Sequence, residues 1–322
     1  MGSQRYLLRK VLHALATLLF VLAFNFYLFR IMPGDPVSIL ARSQHLTRQD
    51  IAEQIEGLGL DKALPEQFVV YVRETLSGNL GISVRSGKPV SELISGRLWP
   101  TVLLVGTGTF FSMVLGLLIG IKGAWKRGST FDTSSLFGSL VLYSMPEGWL
   151  GMILIVVFAG LLGLFPAGQY QSPAELTGLA HVVDIANHLF LPALTLTLGY
   201  IGEYAIVMRS SLLEVMNEDF VTTARAKGVR DRDIRRHHAV PNALLPTLTL
   251  VFLSFGFILG GAIIVESVFS WPGLGLLTYK AIGELDYPVI QAVFLLFSGA
   301  VIFFNLVADI LYGYLDPRIR EA

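Results

Sequence analysis

Six apolar runs, each long enough to cross a bilayer, limit what this chain can fold into. Five of them, residues 11–29, 101–121, 189–208, 243–265 and 289–308, are close to the twenty or so residues that a spanning helix needs. The sixth, residues 133–165, holds one charged residue, Glu147, in 33 positions. As a single straight helix it would reach about 50 Å, against a hydrocarbon core of about 30 Å. The placement of basic residues decides how often it crosses. A single crossing puts Arg5, Arg9 and Lys10, then Lys122, Lys126 and Arg127, then the cluster from Arg209 to Arg236, then Arg318 and Arg320, all on one side. The opposite segments carry no Lys or Arg between residues 166 and 188, and only Lys280 between 270 and 287. That asymmetry is the positive-inside pattern, and a second crossing would throw the Arg209–Arg236 cluster outside. The sequence therefore predicts an all-α polytopic membrane protein of six transmembrane helices, both termini cytoplasmic, with a bend near Pro146. The first run lacks the short apolar core and small-residue cleavage site of a signal peptide, so it is expected to stay as a span.

Composition agrees and excludes several function classes. Of the 322 residues 53% are hydrophobic and 15% charged, where a soluble domain carries about 25% charge. Net charge is zero without a basic tail, which leaves nucleic-acid binding without electrostatic support. Cysteine is absent, so disulfide, thiolate-metal and cysteine-nucleophile chemistry are excluded. The six histidines include no pair at zinc-protease spacing, and the adjacent His237 and His238 point in different directions on a helix. Two glycine-rich stretches miss the phosphate-loop pattern. Residues 81–89 have one residue too many and Pro89 where a hydroxyl must meet magnesium, and residues 123–129 lack the lysine after the second glycine.

The most charged stretch, residues 214–246, lies between two apolar runs. Its pattern predicts a helix from about 210 to 227 with Leu212, Val215, Met216, Phe220 and Val221 near one face. Gly228 is placed to end that helix with a positive φ, Asp231 to cap a second short helix, and Pro241 to end it. Such an elbow can be gripped by another protein. The plainer alternative is a basic loop held by phospholipid headgroups.

Ahead of the second span, residues 30–98 are too long for a simple turn. Thr47 marks a helix start and Gly57 or Gly59 its end; Pro65 opens a second helix carrying Phe68, Val69 and Val72 that stops near Gly78. Residues 89–98 place Val90, Leu93, Ile94 and Leu98 on one face, suited to lying on the outer leaflet. The expected organisation is a cytoplasmic N-terminus (1–10), a first span (11–29), an extracytoplasmic helical lid (30–98), a five-helix core (99–312) containing the cytoplasmic segment 209–242, and a cytoplasmic C-terminus (313–322). Gly116 with Gly120, and Gly256 with Gly260, are spaced for close helix approach, within the bundle or across a dimer. Charges near or inside the spans are few. Glu147 and Glu203 are candidates for a polar translocation path, whereas Glu266 and Asp309 sit near span ends, within reach of headgroups. No paired carboxylates or Ser/His/Asp set suggests acid–base or nucleophilic catalysis.

The residues Thr223-Ala224-Arg225-Ala226-Lys227-Gly228, followed by Pro241-Asn242 thirteen residues after the glycine, resemble the cytoplasmic coupling motif of ABC importer permeases. The family's Glu-Ala-Ala falls on Thr222, Thr223 and Ala224, a departure typical of the peptide-transporter branch. The resemblance covers nearly the whole chain and is closest to the B-type permease of dipeptide and oligopeptide importers. Its other carriers include Met32–Pro36, Gly59-Leu60-Asp61-Lys62, Gly78–Ser83, Ser144-Met145-Pro146, Phe165–Gly168, Phe269–Gly275, Leu285–Val289 and Leu315–Arg320. Glu147 departs from the pattern, which more often has an apolar residue there. The resemblance implies a type I importer permease paired with a homologous C-type subunit, two ABC ATPases and an extracytoplasmic substrate-binding protein. It implies ATPase coupling through Glu214, Asp219, Thr223 to Gly228, Pro241 and Asn242. No cofactor would be bound by this chain, ATP and magnesium being used by the ATPases, and the permease would catalyse no covalent step. Nickel, glutathione or another small solute could replace the peptide on the same architecture. A gradient-driven transporter would be expected to show inverted repeats, and none is visible. An intramembrane enzyme would need paired catalytic residues.

Overall fold

The computed structural model describes residues 2–31, 47–57, 62–174 and 176–315. The stretches 32–36, 59–61 and 316–320 that contribute to the resemblance lie outside them, as does the packing of Gly256 and Gly260. Its regular elements among the described residues are helices: α1 (Gly2–Ile31), α2 (Arg48–Gly57), α3 (Leu64–Leu76), α4 (Val90–Trp125), α5 (Thr130–Ser144), α6 (Glu147–Leu154, continuing as a π-helical turn to Leu161), α7 (Gly178–Val215), α8 (Asp219–Ala226), α9 (Asp231–Ile234), α10 (Val240–Val268), α11 (Leu274–Glu284) and α12 (Tyr287–Leu315). Among the described residues α1, α4, α7 and α12 are long and apolar enough to span a bilayer, and α5 with α6 makes a fifth if the bent pair counts once. The 29-residue α10 covers the remaining apolar run.

The bend falls where the proline predicts it, but as a corner rather than a kink. Met145 is held extended (φ −78°, ψ 130°), the conformation that a following proline imposes. Pro146 then starts α6, and the two helix axes turn by 102°.

Residues 90–98 are not a separate surface helix. They are the first turns of the 36-residue α4, and Val90 and Ile94 are buried against Leu274, Leu277 and Val289 of α11 and α12. Half of the stripe expected on the outer leaflet has found protein instead, while Leu98 stays 42% exposed. The two short helices before it do form, with Pro65 in the first turn of α3 and Gly78 at φ 84° after it. The second of them, α3, rests on α1: Phe26 meets Phe68 edge-on at 5.4 Å, and Asn25 donates to Tyr71 Oη at 3.0 Å and to the Gln291 carbonyl of α12 at 3.1 Å. Burial raises the Tyr71 phenol above its ordinary pKa, opposed by the Asn25 hydrogen bond.

Helix α4 packs most extensively against α7, and the reason is a stripe of small residues. Gly108, Ser112, Gly116 and Gly120 recur every four residues and are all buried. A Cβ at Gly116 would sit 2.6 Å from Tyr204 Cβ and 2.9 Å from the Ile201 carbonyl oxygen, and one at Gly120 would sit 2.6 Å from that of Ala205. The Gly116/Gly120 pair thus serves packing within the chain. Lipid tails are as apolar as leucine, so such close backbone approach is what makes two membrane helices prefer each other.

Aspartate 309 does not simply reach outward. Its Oδ1 pairs with Lys10 Nζ at 2.8 Å, its carbonyl accepts from the Tyr6 hydroxyl at 3.1 Å, and α1 is thereby fixed along α12.

Gly116→Leu or Gly120→Leu should lower stability by about 1–3 kcal/mol, the usual cost of overpacking. Gly106→Leu on the same helix, whose Cβ would meet nothing within 4 Å, should leave it nearly unchanged. Thermal unfolding in detergent separates the two outcomes.

Candidate functional site

The charged stretch between α7 and α10 folds as an elbow, built differently from the sequence expectation in two respects. The first helix is broken. Leu212 and Val215 belong to the last turn of α7, which ends with Met216, Asn217 and Glu218 donating to the carbonyls of Leu212, Glu214 and Val215. Glu218 is extended (ψ 149°) and a new helix, α8, begins at Asp219. The second difference is at Pro241. It ends nothing: α9 passes through a π-helical turn over Arg235–Ala239 straight into α10, with Pro241 in its first turn. A proline needs no amide partner there. Asp231 is the first residue of α9 and not its cap, which is Arg230.

The glycine corner is as expected. Gly228 has φ 76°, and Lys227, Gly228 and Val229 donate back to Thr223, Arg225 and Ala224 at 3.1, 2.9 and 3.2 Å. This satisfies the last carbonyls of α8. Space around the Gly228 Cα is open, so backbone conformation alone selects glycine. Across the corner Arg225 Nε lies 3.5 Å from Asp231 Oδ1, both side chains exposed.

Two side chains anchor the elbow inward, Val221 of α8 and Ile234 of α9, both fully buried. Behind them Met208, Leu212, Ala239 and Ala243 form a small core with Ala124 at the end of α4. The Ser211 hydroxyl donates to the Ala243 carbonyl at 2.9 Å, and the Arg235 guanidinium lies 5.1 Å over the Trp125 ring. The start of α10 is therefore fastened to the ends of α7 and α4.

Residues expected to couple to an ATPase point the other way. Glu214, Asp219, Thr223, Arg225, Ala226, Lys227, Gly228, Pro241 and Asn242 are exposed and Ala224 is half-buried. Phe220 and Val229 join them on the outside, 41% and 37% exposed, an apolar component absent from the expected set. Thr223 and Asn242 turn their polar atoms back onto their own helices, at Asp219 and His238 carbonyls. The surface is an exposed, mixed basic and apolar ridge on a rigid base.

Sequence reasoning missed the strongest polar tie at this end of the molecule. Arg209 of α7 forks onto Asp132 of α5, Nε to Oδ1 at 2.6 Å and Nη2 to Oδ2 at 2.9 Å. Asp132 Oδ2 also accepts from the Gly128 amide, and Ser129 caps α5 by accepting from the Asp132 amide. The Ser129-x-x-Asp132 start signal was visible in the chain; its partner 77 residues away was not. Of the carboxylates expected to line a path, Glu147 is the first residue of α6 and packs against α7 at Gly199, and Glu203 lies half-buried on α7. Glu147 Oε2 is buried without a hydrogen-bond partner. Glu266, expected at a headgroup, is fully buried.

Asp132→Ala strands the Arg209 guanidinium, whose side chain is only 20% exposed, and should cost about 3 kcal/mol, the low end for breaking a buried pair. Arg209→Lys keeps the charge without the fork and should cost less. Unfolding midpoints in detergent check the order.

Comparison with known proteins agrees with this geometry. Residues 112–321 match the family described as binding-protein-dependent transport system inner membrane component, and residues 3–105 match its N-terminal counterpart. The chain is 39% identical over 315 residues to a probable peptide ABC transporter permease protein, y4tP, of Sinorhizobium fredii, covering 98% of this chain and 99% of that one. It is 39% identical to the glutathione transport system permease protein GsiC of Salmonella typhimurium, covering 98% of each. It is also 39% identical to the di/tripeptide transport system permease protein DppB of Pseudomonas aeruginosa, covering 92% and 93%. Among solved structures, a chain of the MetNI methionine ABC transporter in an inward-facing conformation superposes with a TM-score of 0.55 at 19% identity, over 70% of this chain and 96% of that one. That likeness shows the fold, the type I ABC importer permease arrangement expected from the motif. With matches along both parts of its length, the chain belongs to the binding-protein-dependent transport system inner membrane components.

Proposed function

We propose that this chain is one of two permease subunits of an ATP-driven peptide importer, and that its elbow seats in a cleft on an ABC ATPase. The observation that carries the reading is the elbow itself. Two short helices meet at a glycine corner, present Phe220, Thr223, Arg225, Lys227 and Val229 outward, and are pinned from behind by Val221 and Ile234. A ridge with a rigid base follows a moving partner as a body, which is what transmission of a domain motion requires. In this reading a homologous C-type permease completes the path, a second ATPase serves that subunit, and an extracytoplasmic binding protein delivers substrate. The basic residues flanking the spans support a cytoplasmic elbow and cytoplasmic termini. ATP and magnesium stay with the ATPases, and this chain catalyses no covalent step. Glu147, packed against α7 at Gly199, and the half-buried Glu203 of α7 line the path between the two permeases.

Relatives named for peptides and for glutathione are equally similar to this chain, so glutathione is the specific second reading.

Gly228→Val forces a β-branched residue to φ 76°, a strain of about 1–2 kcal/mol confined to the corner. The variant should still fold and insert but should release the ATPases on affinity purification of the assembled importer, with peptide uptake falling in proportion. Retention of the ATPases, or their absence from the wild-type complex, would sink the coupling assignment. Competition of labelled dipeptide uptake by unlabelled glutathione decides between the two substrates.

A further inference from the structure

A carboxylate sits fully buried at the end of α10 farthest from the elbow, with no cation beside it among the described residues. Glu266 is 0% exposed. Its Oε1 accepts from the Thr101 hydroxyl of α4 at 2.7 Å, and its Oε2 accepts from the Leu276 amide in the first turn of α11 at 2.9 Å. Thr101 Oγ1 in turn accepts from the Leu274 amide at 2.7 Å. Helix α11 has no cap of its own, because Gly273 stands at its N-cap position. Its first amides are taken by a glutamate from the preceding helix and a threonine from another. An anion at a helix N-terminus is where the exposed amides and the helix dipole both favour it. Nothing larger than glycine fits between: a Cβ at Gly273 would lie 2.2 Å from Glu266 Oε1, and one at Gly275 would lie 2.6 Å from Ile263 Cα. Trp271, also 0% exposed, closes the corner by donating its indole N–H to the Pro100 carbonyl at 2.9 Å.

Helix α10 is continuous from the elbow to this corner, and the 26 residues between Val240 and Glu266 span about 39 Å. Its near end is tied to α7 through Ser211 and Ala243; its far end holds α4 and α11 through one carboxylate. We infer that Glu266 and Thr101 form a latch by which α10 carries displacement of the elbow to α11, on the opposite side of the membrane. Glu266 is thus a positioning residue of the transport cycle. The inference rests on the elbow being the ATPase contact. It adds that the outer end of the same helix grips a second moving part. Complete burial within the protein favours such a device, since a charge-assisted hydrogen bond there has no water to compete with it.

The test uses the assembled importer: this chain with its partner permease, ATPases and binding protein. The chain has no cysteine, so Lys280→Cys on the exposed face of α11 is a unique label site within it. In the wild-type background its labelling rate by a membrane-impermeant maleimide should differ between nucleotide-free and vanadate-trapped complexes. Glu266→Gln places amide protons among amide donors, and Thr101→Val removes the hydroxyl at nearly constant volume. Each should abolish that nucleotide dependence and cut uptake by about tenfold or more, the weight of one hydrogen bond to a charged group. The ATPases should remain bound and basal ATP hydrolysis should continue. Thr101→Ser should behave as wild type. Nucleotide-dependent labelling that survives in Thr101→Val and Glu266→Gln overturns the latch, and so does a wild-type rate indifferent to nucleotide. Failure of both variants to assemble would also overturn it, assigning the carboxylate to folding alone. ATPases missing from the wild-type complex would instead indict the elbow reading.

Discussion

Close backbone contact between α4 and α7 is the constraint on which the remaining structure depends. In water a helix pair is held by burying apolar faces, but in lipid that drive vanishes and packing with a few hydrogen bonds must replace it. Gly116 and Gly120 let α4 approach until a single added methyl group would touch the backbone of α7. Gly202 on α7 does the same for α5, where a Cβ would run into the Ser139 carbonyl. Around this pair the outward surfaces stay apolar, with Phe110, Phe111, Leu118 and Phe137 largely exposed.

The polar ties are few, and their positions have a pattern. Asp132 with Arg209 and Ser211 with Ala243 fasten the elbow end. Glu266 with Thr101 fastens the opposite end of α10. Near it, Asp286 between α11 and α12 gathers the Ser83 hydroxyl and the amides of Val84 and Arg85. The glycine-rich turn that misses the phosphate-loop pattern therefore uses its amides on the chain's own carboxylate. Each tie joins segments distant in sequence at the end of a span, while the middles are left to shape. A bundle fastened at its ends and smooth between them suits helices that must shift together.

The features legible in the sequence were those set by local chemistry. The places of the long helices follow from apolar runs, the corner at Pro146 from the restriction a proline places on Met145, and the elbow turn from Gly228. What failed was decided by partners far along the chain. The stripe at Val90 and Ile94 suited lipid or protein equally, and only α11 and α12 settle it. Glu266 looked like a residue near a headgroup because sequence shows its distance from a span end and not the bare amides of α11 opposite. Pro241 reads as a helix stop by propensity, yet the π-helical turn over Arg235–Ala239 carries the chain through. Within the elbow the glycine corner was legible and the helix breaks were not. Periodicity placed Val221 on one face with Leu212, but the break at Glu218 puts them on different helices.

The exposed ridge of α8 is proposed to touch an ATPase and to move with it. The most direct measurement is disulfide or short bifunctional cross-linking from Thr223→Cys in the assembled importer, followed by identification of the linked chain with and without trapped nucleotide. The account predicts a single major product between this chain and an ATPase subunit, with a yield that changes with nucleotide state. A cysteine there that reacts freely with soluble reagents in every state, and links to no ATPase, would contradict it and return the ridge to the role of a basic loop on a lipid surface.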